Sequence, residues 1–284
     1  MREARPSVTA QRVAIRRAAH QIFDRPKVLD DPIALSIVGW AAEAELRAST
    51  SRLEGRAARY LRAFMVVRSR YAEDELAKAA ARGARQFVIL GAGLDTFAYR
   101  NPYGESALRV FEVDHPATQS WKQERLAAAK IPIPASVRYA PVDFERQSLA
   151  DGLQQAGFDA RVTTFFSWLG VTPYLTADAL NATLRFVAGT PAGGGVVFDY
   201  GVARGCLNWK HKLAFDYLSR RVAAAGEPFR TFFEPAALAA ELRRIGFSWM
   251  EDLGETEING RYFRERADGL RVGGGLGRLM SAQI

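Results

Sequence analysis

The polarity pattern of the chain changes near residue 83. Before it, apolar positions recur at helical spacing: Ala10, Val13, Ala14, Ala18 and Ile22 share one face, and Ala57, Leu61, Phe64, Tyr71 and Ala72 share another. After it, short apolar runs at 86–90, 108–113, 137–142, 162–168 and 194–200 read as buried strands, with helix-compatible segments between several of them. Alternating strands and helices predict an α/β fold: a doubly wound, mostly parallel sheet over residues 83–200 behind an N-terminal helical cap, residues 1–82. Residues 207–225 read as a helix. They follow the fifth strand end, on the ligand side of such a sheet, so 201–233 is expected to form a lid. EPAALAAELRRIGF puts Pro235 at a helix start and Gly246 at its end. FSWMEDLG and LGRLMSAQI then read as two strands with no helix between them. They predict an antiparallel pair at the sheet's edge and bring the strands to seven.

A length of 284 residues with 48% hydrophobic content suits one large domain with extensions. Cys206 is the only cysteine, which excludes a disulfide framework and a thiolate zinc cluster and suggests a small packing residue. No metal site is expected. The arginines of MREARPSVTAQRVAIRRAAHQIF interrupt any signal-peptide core, so this stretch is expected to be mature structure, and no apolar run is long enough to span a membrane. A cytoplasmic protein is the expectation. The charge of +8 raises the question of nucleic acid, but the basic residues are scattered without a run of five. Such a surface suits acidic small molecules better than nucleic acid or a membrane.

Three strand ends carry candidate chemistry. In QFVILGAGLDTFAYR, Gly91, Ala92 and Gly93 lie at the carboxyl end of the first strand, where backbone without side chains can approach a ligand; a tight turn alone would look the same. The spacing lacks the third glycine of dinucleotide folds, Thr96 standing in its place. VFEVDHP places Asp114 at the end of the second strand, 23 residues after Gly91, where a carboxylate can accept two hydrogen bonds from a ribose diol. Glu112 points to the same face one step deeper. VRYAPVDFE ends the third with Asp143, able to accept from an amino group, and Phe144, able to stack on a base. Each could equally be a strand-end cap. One cation also stands out: Arg68 lies within about 60° of its apolar helix face, whereas Arg70 points to solvent. A buried guanidinium needs a partner, either a ligand carboxylate or a side chain such as Glu75.

ILGAGLDTFAYR, VFEVDHP, PVDFE and SWLGVTPYL, in this order and spacing, resemble the leucine carboxyl methyltransferase-like family of class I S-adenosylmethionine-dependent methyltransferases, which includes polyketide O-methyltransferases. SVTA, DDPIA, VRSRYAEDEL and RYFRERADGL extend the resemblance nearly end to end. It implies S-adenosyl-L-methionine as cofactor and methyl transfer to a carboxylate or hydroxyl oxygen of a small molecule. Its arginine for the methionine carboxylate matches Arg68. Gly91, Ala92 and Gly93 would approach the amino-acid part, Asp114 the ribose with His115 beside it, and Asp143 with Phe144 the adenine. Two departures stand out. Leu169 occupies a position that is often acidic in the family, and Glu145 replaces the arginine that the carboxyl methyltransferase proper carries two places after its aspartate, which argues against a peptide C-terminus as substrate. Tyr174 matches the family's tyrosine and is expected to face the substrate.

A phenol or alcohol acceptor usually needs a base, and His211 in the lid is the first candidate. His20, His115, Asp199 and Tyr200 are alternatives. An NAD(P)-dependent oxidoreductase and a non-catalytic S-adenosylmethionine-binding protein are the rival readings.

Overall fold

The computed structural model describes residues 7–48, 51–143, 147–224 and 229–284. Five helices precede the sheet among them: α1 (Val8–Phe23), α2 (Ala34–Val38), α3 (Trp40–Ala48), α4 (Ser51–Glu54) and the long α5 (Arg56–Ala81). There follow β1 (Gln86–Leu90), β2 (Arg109–Asp114), α6 (Pro116–Ala128), β3 (Val137–Pro141), α7 (Leu149–Gln155), β4 (Thr164–Trp168), α8 (Ala177–Ala188) and β5 (Gly195–Gly201). The C-terminal part contributes α9 (Trp209–Ala224), α10 (Pro235–Ile245), β6 (Trp249–Leu253), α11 (Glu255–Tyr262) and β7 (Gly277–Gln283).

These strands form one sheet of seven in the order β3-β2-β1-β4-β5-β7-β6. The first five are parallel, and β7 runs antiparallel to both of its neighbours. Strand alternation sends Phe87 and Ile89 into one layer of core and Val88 and Leu90 into the other. The order reverses between β1 and β4, which opens a crevice at the carboxyl edge there.

The expectation of no helix between the last two strands is corrected by α11. Its signal is electrostatic rather than periodic: Glu255 and Glu257 occupy the first turn, and Glu257 Oε2 accepts the Gly254 N–H at 2.9 Å. Only Ile258 of its eight residues is buried, so no apolar stripe marks it in the sequence. The antiparallel pairing of β6 with β7 stands.

Of the N-terminal stretch, Val8–Phe23 forms α1 and packs on the protein, as its apolar spacing predicts. Ala14 and Ala18 of α1 are buried, and a polar cluster fixes the helix to α5. Arg62 donates from Nε and Nη2 to the two oxygens of Asp24, each at 2.8 Å. His20 Nε2 accepts the Val28 N–H at 3.0 Å, so its proton sits on Nδ1, which donates to Asp24 Oδ2 at 2.8 Å. Burial disfavours the Asp24 carboxylate, yet the hydrogen bonds from His20 and Arg62 outweigh it and hold its pKa at about 2. His20 is thereby committed to the cap and is no catalytic base. Cys206 is exposed rather than a packing residue.

Candidate active site

Parallel register brings the predicted strand ends side by side: Leu90 pairs with Val113, and Asp114 with Pro141. The glycine loop then turns sharply, with φ of +71° at Gly91 and +48° at Gly93. Asp114 ties the loop down. Its Oδ2 accepts the Gly93 N–H at 2.5 Å and its Oδ1 accepts the His115 N–H at 2.7 Å. Burial raises the pKa of this carboxyl, against the two backbone donors and the nearby Lys122 ammonium. A carboxylate has about four lone-pair sites, so two bonds leave room for a diol. His115 caps α6, accepting the Ala117 N–H at Nδ1. Asp143 follows β3, its carbonyl accepting the Gln147 N–H at 2.9 Å, while Phe144 lies outside the described residues. Glu112 is no second ribose ligand: it is buried, 2.7 Å from Lys122 Nζ and 3.0 Å from the Tyr99 hydroxyl.

The N-terminal cap covers this loop directly. A Cβ added at Gly93 would lie 3.0 Å from Ala10 Cβ of α1. Arg17 of the same helix is buried and donates from Nη2 to Thr96 Oγ1 and Asp31 Oδ2, each at 2.6 Å, while Thr96 donates on to Asp31 at 2.7 Å. Thr96, where a dinucleotide fold would have glycine, is thus the anchor of the loop to the cap. Asp31 falls within DDPIA, which extends the family resemblance, but nothing in the sequence pairs it with Arg17 or Thr96.

Across the crevice, Arg68 is buried, as its place on α5 predicts, but its partner is Asp199 of β5 and not Glu75. Arg68 Nη1 donates to Asp199 Oδ2 at 2.9 Å, and Asp199 Oδ1 accepts the Gly170 N–H at 2.5 Å. The guanidinium lies across Gly170, where a Cβ would come within 2.8 Å of Nη2. Glu75 instead takes Lys78 Nζ at 2.5 Å and the Ser281 hydroxyl at 3.1 Å. Asp199 is therefore half of an ion pair rather than a poised base. Tyr200 is unsuited too: its hydroxyl donates to Asp252 Oδ2 at 2.8 Å, and burial pushes its pKa up. Leu169, at the family's acidic position, packs against the core.

Tyr174 sits in a single 3-10 turn after β4, its ring 5.5 Å from that of Phe229. Phe229 meets Phe232 at 5.8 Å, and Phe232 meets Phe215 of α9 at 4.7 Å. The Arg230 N–H donates to the Pro173 carbonyl at 2.7 Å, fastening this segment to the Tyr174 turn. His211 of α9 is half-buried, with Nδ1 2.6 Å from the place a Cβ on Gly275 would take. Rings press on glycines repeatedly here: a Cβ would meet Tyr60 at 2.6 Å from Gly273, Phe64 at 2.7 Å from Gly277 and Phe232 at 2.8 Å from Gly201. Thus Tyr174 and His211 belong to one aromatic wall over β4, β5 and β7, and the cofactor candidates to the edge over β1, β2 and β3. Arg68 stands between them. Among the described residues no group of three or more His, Cys, Asp or Glu could hold a metal ion, and no helix is long and apolar enough to cross a membrane.

Residues 10–188 match the family model of leucine carboxyl methyltransferase. The chain is 33% identical over 297 aligned residues to YktD of Bacillus subtilis (strain 168), covering 95% of each protein; that relative carries the name of an S-adenosyl-L-methionine-dependent methyltransferase by inference. Among solved structures, a DUF574 family protein from Streptomyces avermitilis MA-4680 shares the fold at TM-score 0.55 and 20% identity, covering 94% of this chain and 96% of that one. A Thermobifida fusca YX protein, assigned to the methyltransferases by inference, does so at TM-score 0.55 and 16% identity, covering 99% and 96%. The oxidoreductase reading falls with these matches: the chain belongs to the leucine carboxyl methyltransferase family and is an S-adenosylmethionine-dependent methyltransferase.

Proposed function

We propose that the enzyme methylates a carboxylate or hydroxyl oxygen of a small molecule that lies against the aromatic wall. The observation that carries this reading is the placement of Tyr174, Phe229, Phe232 and Phe215 in an unbroken chain of ring contacts over the ends of β4 and β5, beside the Arg68–Asp199 pair. Such a wall suits a planar or apolar body rather than a polymer backbone. The cofactor supplies an activated methyl group on a sulfonium, and the chain's own residues supply alignment. On this reading Gly91, Ala92 and Gly93 offer backbone to the cofactor's amino-acid part, Asp114 and His115 flank its ribose, and Asp143 its base. Arg68 turns remaining guanidinium donors toward its carboxylate while Asp199 holds the group in place. The left-handed glycine turns and the spare lone pairs of Asp114 fit that assignment. Tyr174 lines the acceptor, and His211 accepts its proton where the nucleophile is a phenol or alcohol. A carboxylate acceptor needs no such step. The same reading places the enzyme in the cytoplasm, acting without nucleic acid or membrane.

Methyl-tritiated S-adenosylmethionine offered with panels of aromatic carboxylic acids and phenols tests it. Label is expected in an organic-soluble product, released as methanol by mild base if an ester and retained if an ether. Label found only on protein or nucleic acid would overturn the small-molecule reading.

A further inference from the structure

The first turns of α5 rise beyond the carboxyl edge of the sheet, and they carry an open, solvent-facing cavity of about 280 Å³ lined by Glu54, Arg56, Arg59, Tyr60, Gly269 and Arg271, with Arg56 and Arg271 exposed. Tyr60 belongs to two surroundings at once. Its ring lies on Gly273 in the wall described above, and its oxygen accepts from Arg56 Nε at 2.7 Å and Arg271 Nη2 at 3.2 Å within the cavity. Both guanidiniums also lie over its ring, at 5.5 and 5.7 Å from the centroid. Two arginines here hold one phenol, and Arg59 lines the same cavity. The neighbouring acids are committed elsewhere: Glu54 Oε1 accepts from Arg62 at 2.9 Å, and the Asp268 carboxylate accepts from Arg266 and from the backbone of Arg25 and Leu270. Arg59 reaches only the Asp268 carbonyl, and Glu255 attracts Arg271 from farther off.

This arrangement works against itself. Like charges repel, and Arg56 and Arg59 occupy the first turn of a helix with no acid there, the end where a cation is disfavoured. The hydrogen bonds from Arg271 and Arg56 lower the pKa of Tyr60. An oxyanion would supply the missing negative charge, since planar guanidiniums match carboxylate and phosphate oxygens in pairs.

We propose that this cavity binds a carboxylate or phosphate carried by the methyl acceptor at the end remote from the reacting oxygen. Tyr60, Phe64 and Arg68 follow one another at four-residue intervals on one face of α5, so the cavity lies about 12 Å from the Arg68 level. The acceptor is then an elongated molecule, its body along Phe64 and the aromatic wall and its anionic end between Arg56 and Arg271. This rests on the acceptor side of the function proposed above.

Calorimetric titration with benzoate and with inorganic phosphate, on the empty and on the S-adenosylhomocysteine-loaded protein, tests it. At least one anion is expected to bind, and Arg56→Gln and Arg271→Gln each to weaken it about tenfold. Arg161→Gln, at the opposite edge of the sheet, should change nothing. For any acceptor found by the tritium assay, Arg271→Gln should raise KM about tenfold and leave kcat near its original value. Absence of binding by both anions, equal affinity in all variants, or a KM indifferent to both arginines overturns the proposal. The S-adenosylhomocysteine titration reports separately: if it fails, the cofactor assignment falls, and the anion result on the empty protein still decides this one.

Discussion

On the β1–β3 side of the carboxyl edge each candidate residue is delivered by the end of its own strand, whereas over β5 and β7 the surface is assembled from rings brought in by α5, α9 and the segment after it. On the function proposed above, the first side recognises a ligand shared by many enzymes and needs only short loops in register. On the same proposal the second side fits one acceptor, and its parts come from positions as far apart as Tyr60 and Gly273. Arg68 joins the two, because Asp199, 131 residues away, belongs to the acceptor side while the guanidinium faces the crevice. The comparison makes the Arg68–Asp199 pair the most sensitive point of the site.

Arg68→Met is accordingly expected to give the largest effect. It leaves Asp199 buried with the Gly170 N–H as its remaining side-chain bond, and loss of one partner of a buried pair costs about 3 kcal/mol or more. Thermal unfolding of the empty protein should show the loss, and Asp199→Asn in the same chain should recover much of it by removing the stranded charge. A single variant as stable as wild type would mean that the pair contributes nothing to the fold and that Arg68 answers to the ligand alone.

Asp114→Ala probes the strand-end side. Loss of the diol's acceptor should weaken S-adenosylhomocysteine binding by about 1.5 to 3 kcal/mol, the range for hydrogen bonds to a charged group. Calorimetry on the folded variant measures it, and unchanged affinity would remove Asp114 from the ribose site. Effects on stability should be smaller than for Arg68, since Asp114 accepts from backbone donors at a half-buried position.

What the sequence discloses follows the same division. Gly91, Gly93 and Asp114 are legible because a strand end and its loop are local in the chain, and the five parallel strands because their apolar runs are short and bounded. Arg68 is legible as a buried cation, since helical spacing fixes its face, but no spacing reveals Asp199 as its partner. Thr96 looked like a missing glycine, and only the fold shows its hydroxyl between Arg17 and Asp31. The helix α11 escaped because its stability comes from charges at its start rather than from an apolar stripe. Tyr60 offered no signal at all: its role depends on Gly273 and Arg271, more than two hundred residues downstream.

The smallest expected effect separates backbone strain from the geometry of the wall. Gly275 has φ +57° and would place a new Cβ 2.6 Å from His211 Nδ1; Gly157 has φ +82° and would meet nothing within 4 Å. Alanine at either position puts an L-residue in the left-handed region, at a cost of roughly 1 to 2 kcal/mol. Both variants should therefore melt slightly and comparably early. Only Gly275→Ala must also push the imidazole away, and with it the first turns of α9, the helix that carries Phe215 of the wall. Hydrogen exchange should quicken in α9 for Gly275→Ala and not for Gly157→Ala, with S-adenosylhomocysteine affinity unchanged in both. If α9 exchanges alike in the two variants, His211 is not fixed by its contact with Gly275, and the acceptor wall ends at Phe215 and Phe232.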